Sequence, residues 1–179
     1  MKNKTLVGLL FLSTAIFAQE KMITKTGKIN FEASIPAFEE VKALNSNVTC
    51  VLNSKTGEIA SLALMKSFRF KIALMEEHFN ENYVESDKFP KATFKGKIEN
   101  FDVNALTATA KEFNMTGKME IHGKSKDVST KAKIKKTDAG IEIKSDFYVN
   151  ASDYDIAIPS IVKNKVSNKI GIKTEFIVK

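Results

Sequence analysis

From Gly27 onward the dominant spacing between apolar residues is two, the pattern of a strand with one buried and one wet face. Ile29, Phe31 and Ala33 open it, Val48 to Leu52 continue it, and a turn at Ser54–Glu58 leads into a long strand from Ile59 through Ile72. Lys66 interrupts the even-numbered face of that strand, and a bulge or bend near Lys66 and Ser67 restores the alternation. Further on, Ala92, Phe94, Gly96 and Ile98 share one face, as do Phe113, Met115, Gly117, Met119 and Ile121. A hairpin over Gly123–Asp127 returns the chain through Val128, Thr130, Ala132 and Ile134. Asp138-Ala139-Gly140 turns it into Ile141, Ile143, Ser145, Phe147 and Val149, and Val166, Ile170, Ile172, Phe176 and Val178 mark the last strand.

One stretch changes period. Leu74, Met75, His78, Phe79 and Tyr83 fall three and four apart, which predicts a short amphipathic helix over 74–83. Asp87-Lys88-Phe89-Pro90 then breaks the chain, because proline lacks the amide hydrogen and pushes its predecessor towards extended geometry. Shorter helical pieces are expected at Pro36–Leu44 and Pro159–Asn164. About eight antiparallel strands result, enough to close a barrel around a filled core or one small ligand. A two-sheet sandwich gives the same alternation, so periodicity alone leaves both architectures open.

The arrangement of strand, helical turn, acidic-aromatic-Pro corner and Thr-Phe strand resembles the YceI family of secreted, lipocalin-like barrel proteins. The residues that carry the resemblance are Met75, His78, Phe79, Asp87, Phe89, Pro90, Thr93 and Phe94. A second match is the hairpin stretch Met115–Val128, in which Lys124 stands where the family usually has Val and Asp127 where it has Pro. A third is Phe147–Asp155, followed by Val162 and a closing strand. The resemblance covers roughly residues 25 to 179 and implies an all-β, eight-stranded antiparallel lipocalin-like barrel with short helical segments.

For the interior, a solid hydrophobic core is the bland expectation. The resemblance implies instead an elongated apolar cavity holding a polyisoprenoid or similar long-chain lipid, to which an adaptable lining of Phe and Met is suited. The residues expected to bind it are Phe31, Phe68, Phe70, Ile72, Met75, Phe79, Phe94, Phe113, Met115 and Phe147, with the 74–83 helix as a lid or mouth element. The resulting expectation is a non-enzymatic carrier, reservoir or scavenger. The alternative is a non-catalytic envelope stress-response or interaction protein whose barrel is filled by its own side chains.

The N-terminus sets the compartment. Lys2 and Lys4 precede an apolar run, Leu6–Phe17, too short to span a bilayer, and Ala18 follows as a small cleavage-site residue. This predicts a signal peptide over residues 1–18 and a single barrel domain over 19–179, periplasmic or secreted. Cleavage after Ala15 and an uncut signal anchor are the alternatives. No transmembrane segment is expected after cleavage. Cys50, the sole cysteine, has no internal partner and lies in an apolar run, so a buried inert thiol is expected; an intermolecular bridge, and with it a homodimer, is left open.

The formal charge of +7 falls to +5 when Lys2 and Lys4 leave with the signal. With Arg69 the only arginine and lysines spread along strands, nucleic acid is not an expected partner. Catalytic groups are few: His78 and His122 are the only histidines. His122 precedes Gly123 at a hairpin, where a turn role is expected. His78 with Glu77 and Glu81 makes an incomplete metal set, and a polar cap or structural hydrogen bond is the expectation for it. A hydrolase or isomerase would need His78 with Glu81 or Asp87 as a dyad. No cofactor is expected.

Overall fold

The structure is a computed structural model that describes residues 20–179; the signal segment expected over residues 1–18 lies outside them. Eight long strands are β1 (Lys21–Ser34), β2 (Lys42–Asn53), β3 (Glu58–Leu64), β5 (Lys91–Ile98), β6 (Lys111–Ile121), β7 (Lys124–Thr137), β8 (Gly140–Asn150) and β9 (Val166–Val178). They pair antiparallel in the order β1-β9-β8-β7-β6-β5-β3-β2, and β1 also pairs with β2, so the sheet closes into a barrel. A two-residue β4 (Arg69–Phe70) adds to β2 alone. Closure pairs each of the eight long strands on both sides and forces the even alternation seen in the sequence: one face of every strand points inward.

The long strand expected over Ile59–Ile72 is broken. β3 ends at Leu64, a 3₁₀ turn covers Met65–Ser67, and β4 resumes the pairing with β2 two residues out of register. The break frees backbone groups that the ladder no longer satisfies, and side chains take them up. Asn45, fully buried on β2, donates from Nδ2 to the Leu64 carbonyl (3.0 Å) and accepts at Oδ1 from the Asn47 amide (2.9 Å). Arg69 Nη1 donates to the Lys66 carbonyl (2.9 Å). The sheet thus splits: β5 follows β3 only as far as Lys91, β4 stays with β2, and the connection from Lys71 to Pro90 fills the split.

That connection contains α1 (Ala73–His78) and a turn of π-helix (Phe79–Tyr83), close to the expected helix. The helical piece expected at Pro36–Leu44 is instead a tight turn at Pro36–Phe38 followed by β2. Lys42–Leu44 find ladder partners on β1 and β4, and Ser34 Oγ accepts from the Val41 amide (3.1 Å). The β6–β7 hairpin is tighter than expected, with Ile121 already paired to Lys124 and left-handed His122 (φ 51°) and Gly123 (φ 71°) forming a two-residue turn. β1 begins six residues before Gly27, with bulges on both sides of that glycine.

The two ends of the barrel differ. At the end where β6 and β8 begin, Leu52, Ile98, Ile134, Ile143 and Val178 are fully buried and fill the interior. The β5–β6 connection covers this end with Leu106 buried and Phe101 against Phe113 (6.1 Å between rings). At the opposite end the interior is open.

Candidate functional site

The open end holds a cavity of about 500 Å³. Its walls come from inward faces of the strands: Phe31 and Ala33 towards the end of β1, Ala63 on β3, Phe94 on β5, Met119 on β6 and Ile172 on β9. Volume and lining lie in the range of small-molecule sites, about 300–1,000 Å³ and mostly apolar. Polar groups, among them Glu39, His78, Lys165 and Ser167, sit on segments that border the mouth.

Phe79 organises one wall. Its ring lies 5.6 Å from that of Phe31, 5.8 Å from Phe68 and 5.1 Å from Phe70, all in tilted or edge contacts. Such pairs contribute about 0.5–1.5 kcal/mol each beyond the area they bury. Phe79 arrives there because Met75 and Phe79 are one helical turn apart and face the cavity together. The helix is strapped to β4 through Glu76, whose carboxylate accepts from the Phe70 amide (3.1 Å) and from Arg69 Nη1 (2.7 Å). Arg69 is largely exposed, so the strap orients more than it stabilises.

The other side of the mouth is held by His122. Its Nε2 lies 2.8 Å from Glu85 Oε2 and its Nδ1 3.0 Å from the Tyr154 carbonyl, with the Phe89 ring at 4.4 Å in edge contact. Both partners can only accept, so the imidazolium makes both bonds and the neutral ring makes one. One side chain thereby joins the acidic-aromatic corner, the β6–β7 hairpin and the 3₁₀ turn at Ala151–Tyr154. His122 occupies a turn, as expected; its bonds to two other segments are a function of tertiary position that no local pattern encodes.

Of the residues expected to bind a ligand, Phe31, Phe68, Phe70, Met75, Phe79 and Phe94 line the cavity. Phe113 and Met115 face inward but lie low in the barrel, buried in the filled half, because β6 starts at the closed end. Phe147 packs partly buried against that same core. Ile72 lies outside the lining and begins the helix, its carbonyl accepting from the Met75 and Glu76 amides (3.1 and 3.2 Å). Sequence reading missed a whole wall, the β8–β9 connection with Tyr154, Ile156, Ile158 and Val162. Its signals were the alternation of Ile156 and Ile158 and the family match at Phe147–Asp155 and Val162, which marked the segment without placing it at the cavity.

His78 is exposed at the rim. Among the described residues no group of three or more His, Cys, Asp or Glu side chains is placed to hold a metal ion. Cys50 is fully buried, and burial pushes its thiol up to about 12. No described helix is long and apolar enough to cross a membrane.

A family model for the YceI-like domain matches residues 16–178. No curated protein matches the sequence significantly. Among solved structures, a polyisoprenoid binding domain from Saccharophagus degradans is similar at a TM-score of 0.78 and 14% identity, over 89% of this chain and 98% of that one. BcnA from Burkholderia cenocepacia gives 0.68 at 15% identity, covering 83% and 94%. A Campylobacter jejuni YCEI protein gives 0.60 at 20% identity, covering 81% and 89%. At these identities the likeness concerns the fold.

Proposed function

Since the chain belongs to the YceI-like family, we propose that it is a non-catalytic carrier or reservoir that encloses a polyisoprenoid or comparable long apolar chain in the open half of its barrel, in the periplasm or outside the cell. The observation that carries this reading is the cavity itself, a space of about 500 Å³ walled by Phe, Met and aliphatic side chains inside a closed sheet. At roughly 30 Å³ per water-sized group, it takes on the order of 16 chain carbons. Burying those at ~0.8 kcal/mol each amounts to about 13 kcal/mol before association and ordering costs. Apolar contact is therefore the main source of affinity, and a longer chain extends through the mouth.

The neighbour described as a polyisoprenoid binding domain supports the ligand class, and the apolar run at residues 6–17 supports export. A binding role also fits the reactive groups. The Cys50 thiol stays protonated at neutral pH, and both ring nitrogens of His122 face structural acceptors. We assign ligand contact to Phe31, Phe68, Phe70, Met75, Phe79 and Phe94. Phe79→Asp places a charge at the centre of the ring cluster. It is expected to remove copurifying or added isoprenoid lipid while the far-ultraviolet circular dichroism of the barrel persists. Unchanged lipid content in a folded variant would refute the assignment.

A further inference from the structure

The rim of the cavity carries apolar side chains that the barrel does not use. Phe38 on the β1–β2 connection, Leu74 on α1 and Ile161 on the 3₁₀ turn Ser160–Val162 are 45%, 56% and 83% exposed. Each continues the lining outward: Phe38 forms part of it, Leu74 precedes Met75, and Ile161 precedes Val162. Beside them, Val41 of the β1–β2 connection and Ile156 and Ile158 of the β8–β9 connection pack against a small apolar cluster of Ala33, Ala151 and Ile170, so the two connections meet there. Apolar surface therefore runs from the cavity wall over the rim and into solvent.

Charge accompanies it on one side. The segment 156–166 contains Lys163 and Lys165 and no acidic residue, and neither lysine belongs to an ion pair among the described residues. On the neighbouring connection Glu40 is paired with Lys42 (2.8 Å), which leaves Glu39 as its one acid without an ionic partner among those residues. The helix side carries Glu77 and Glu81, and the start of the β8–β9 connection carries Asp153 and Asp155, the latter paired with Lys124 (2.7 Å), so the 156–166 segment leads any contact with a negative surface. A most exposed large apolar residue two and four positions before unpaired lysines has the chemistry of an interfacial anchor. The apolar tip enters the headgroup boundary while the ammonium groups meet anionic heads.

We propose that this rim docks on an anionic lipid surface, with Ile161 and Phe38 inserted and Lys163 and Lys165 on the headgroups. This inference rests on the lipid-carrier reading. Docked in this way, the cavity mouth opens onto the membrane and an apolar chain moves between bilayer and barrel without crossing water. With so few anchoring groups the contact is reversible, as exchange between surfaces requires.

The test is flotation of the mature protein with vesicles of phosphatidylcholine, alone or with one part phosphatidylglycerol to two, at low and high salt. The wild type is expected to float with the anionic vesicles and to lose binding as salt rises. Ile161→Asp is expected to lower partitioning at least about tenfold, and each of Lys163→Glu and Lys165→Glu about fivefold or more. Lipid extracted from the same purified variants reads the cavity separately. Retained lipid with lost flotation supports docking through the rim. Equal flotation of wild type and Ile161→Asp, or no flotation of either, overturns it whatever the extraction finds. So does a rim-to-rim dimer that Ile161→Asp dissociates, since the rim would then serve a second copy of the chain.

Discussion

Asn45 shows how one residue sustains an irregularity that the barrel needs. It is fully buried, and its amide bonds both a bulged amide on its own strand and the carbonyl left over where β3 breaks. Asn45→Leu preserves bulk and removes both bonds, so two part-buried backbone groups lose their partners. A buried group left unsatisfied costs about 1–3 kcal/mol and a part-buried one less, so a decrease of about 1–2 kcal/mol in urea unfolding is expected; a change within error would mean that water replaces the amide. Cys50 offers a pH test. Its thiol is held protonated up to about 12, whereas the unfolded group ionises near 9.0. Below 9.0 both states keep the proton and stability is unaffected. Between there and about 12 the unfolded state binds fewer protons, so stability falls as pH rises, by up to ~1.4 kcal/mol per pH unit from this group. Cys50→Ala is expected to show a shallower alkaline decline over that window, and an identical slope would contradict the burial of the thiol. Neither residue's role is local, although the apolar run around Cys50 made its burial legible.

At the scale of elements, alternation exposed the strands and their inward faces because a sheet with one wet face imposes a period of two. The change to spacings of three and four exposed the helix at 74–83. What it did not expose was the break at Met65–Ser67 as a 3₁₀ turn, or the splitting of the sheet around β4, since both depend on which strands become neighbours. The same holds for the β8–β9 connection, whose apolar residues have no long periodic run. His122 ties that connection to the hairpin and the corner before β5. His122→Ala is expected to raise amide exchange at Glu85–Phe89 and around Tyr154 well above that of Ile134 and Ile143, with about 1–2 kcal/mol lost overall. Uniform acceleration throughout the barrel would show that the mouth does not open as a separate unit.

For the whole molecule, the fold class was readable as barrel or sandwich from pattern and as barrel from family likeness. The height of each inward residue along the barrel was not. Period two says that Phe94 and Phe113 both point inward; it does not say that one lies near the mouth and the other in the filled end, because that follows from strand register around a closed ring. The molecule consequently combines the two interiors considered for it, a side-chain-filled half that holds the fold and an open half with room for an apolar chain. The lysine-rich exterior and single arginine suit a solvated surface. The most direct measurement is native mass spectrometry, with organic extraction, of the protein purified from its native cells without detergent. A stoichiometric long-chain lipid, released on unfolding, is the expected result; a bare mass that stays bare after incubation with isoprenoid quinones and polyprenyl lipids would contradict a lipid-carrying barrel.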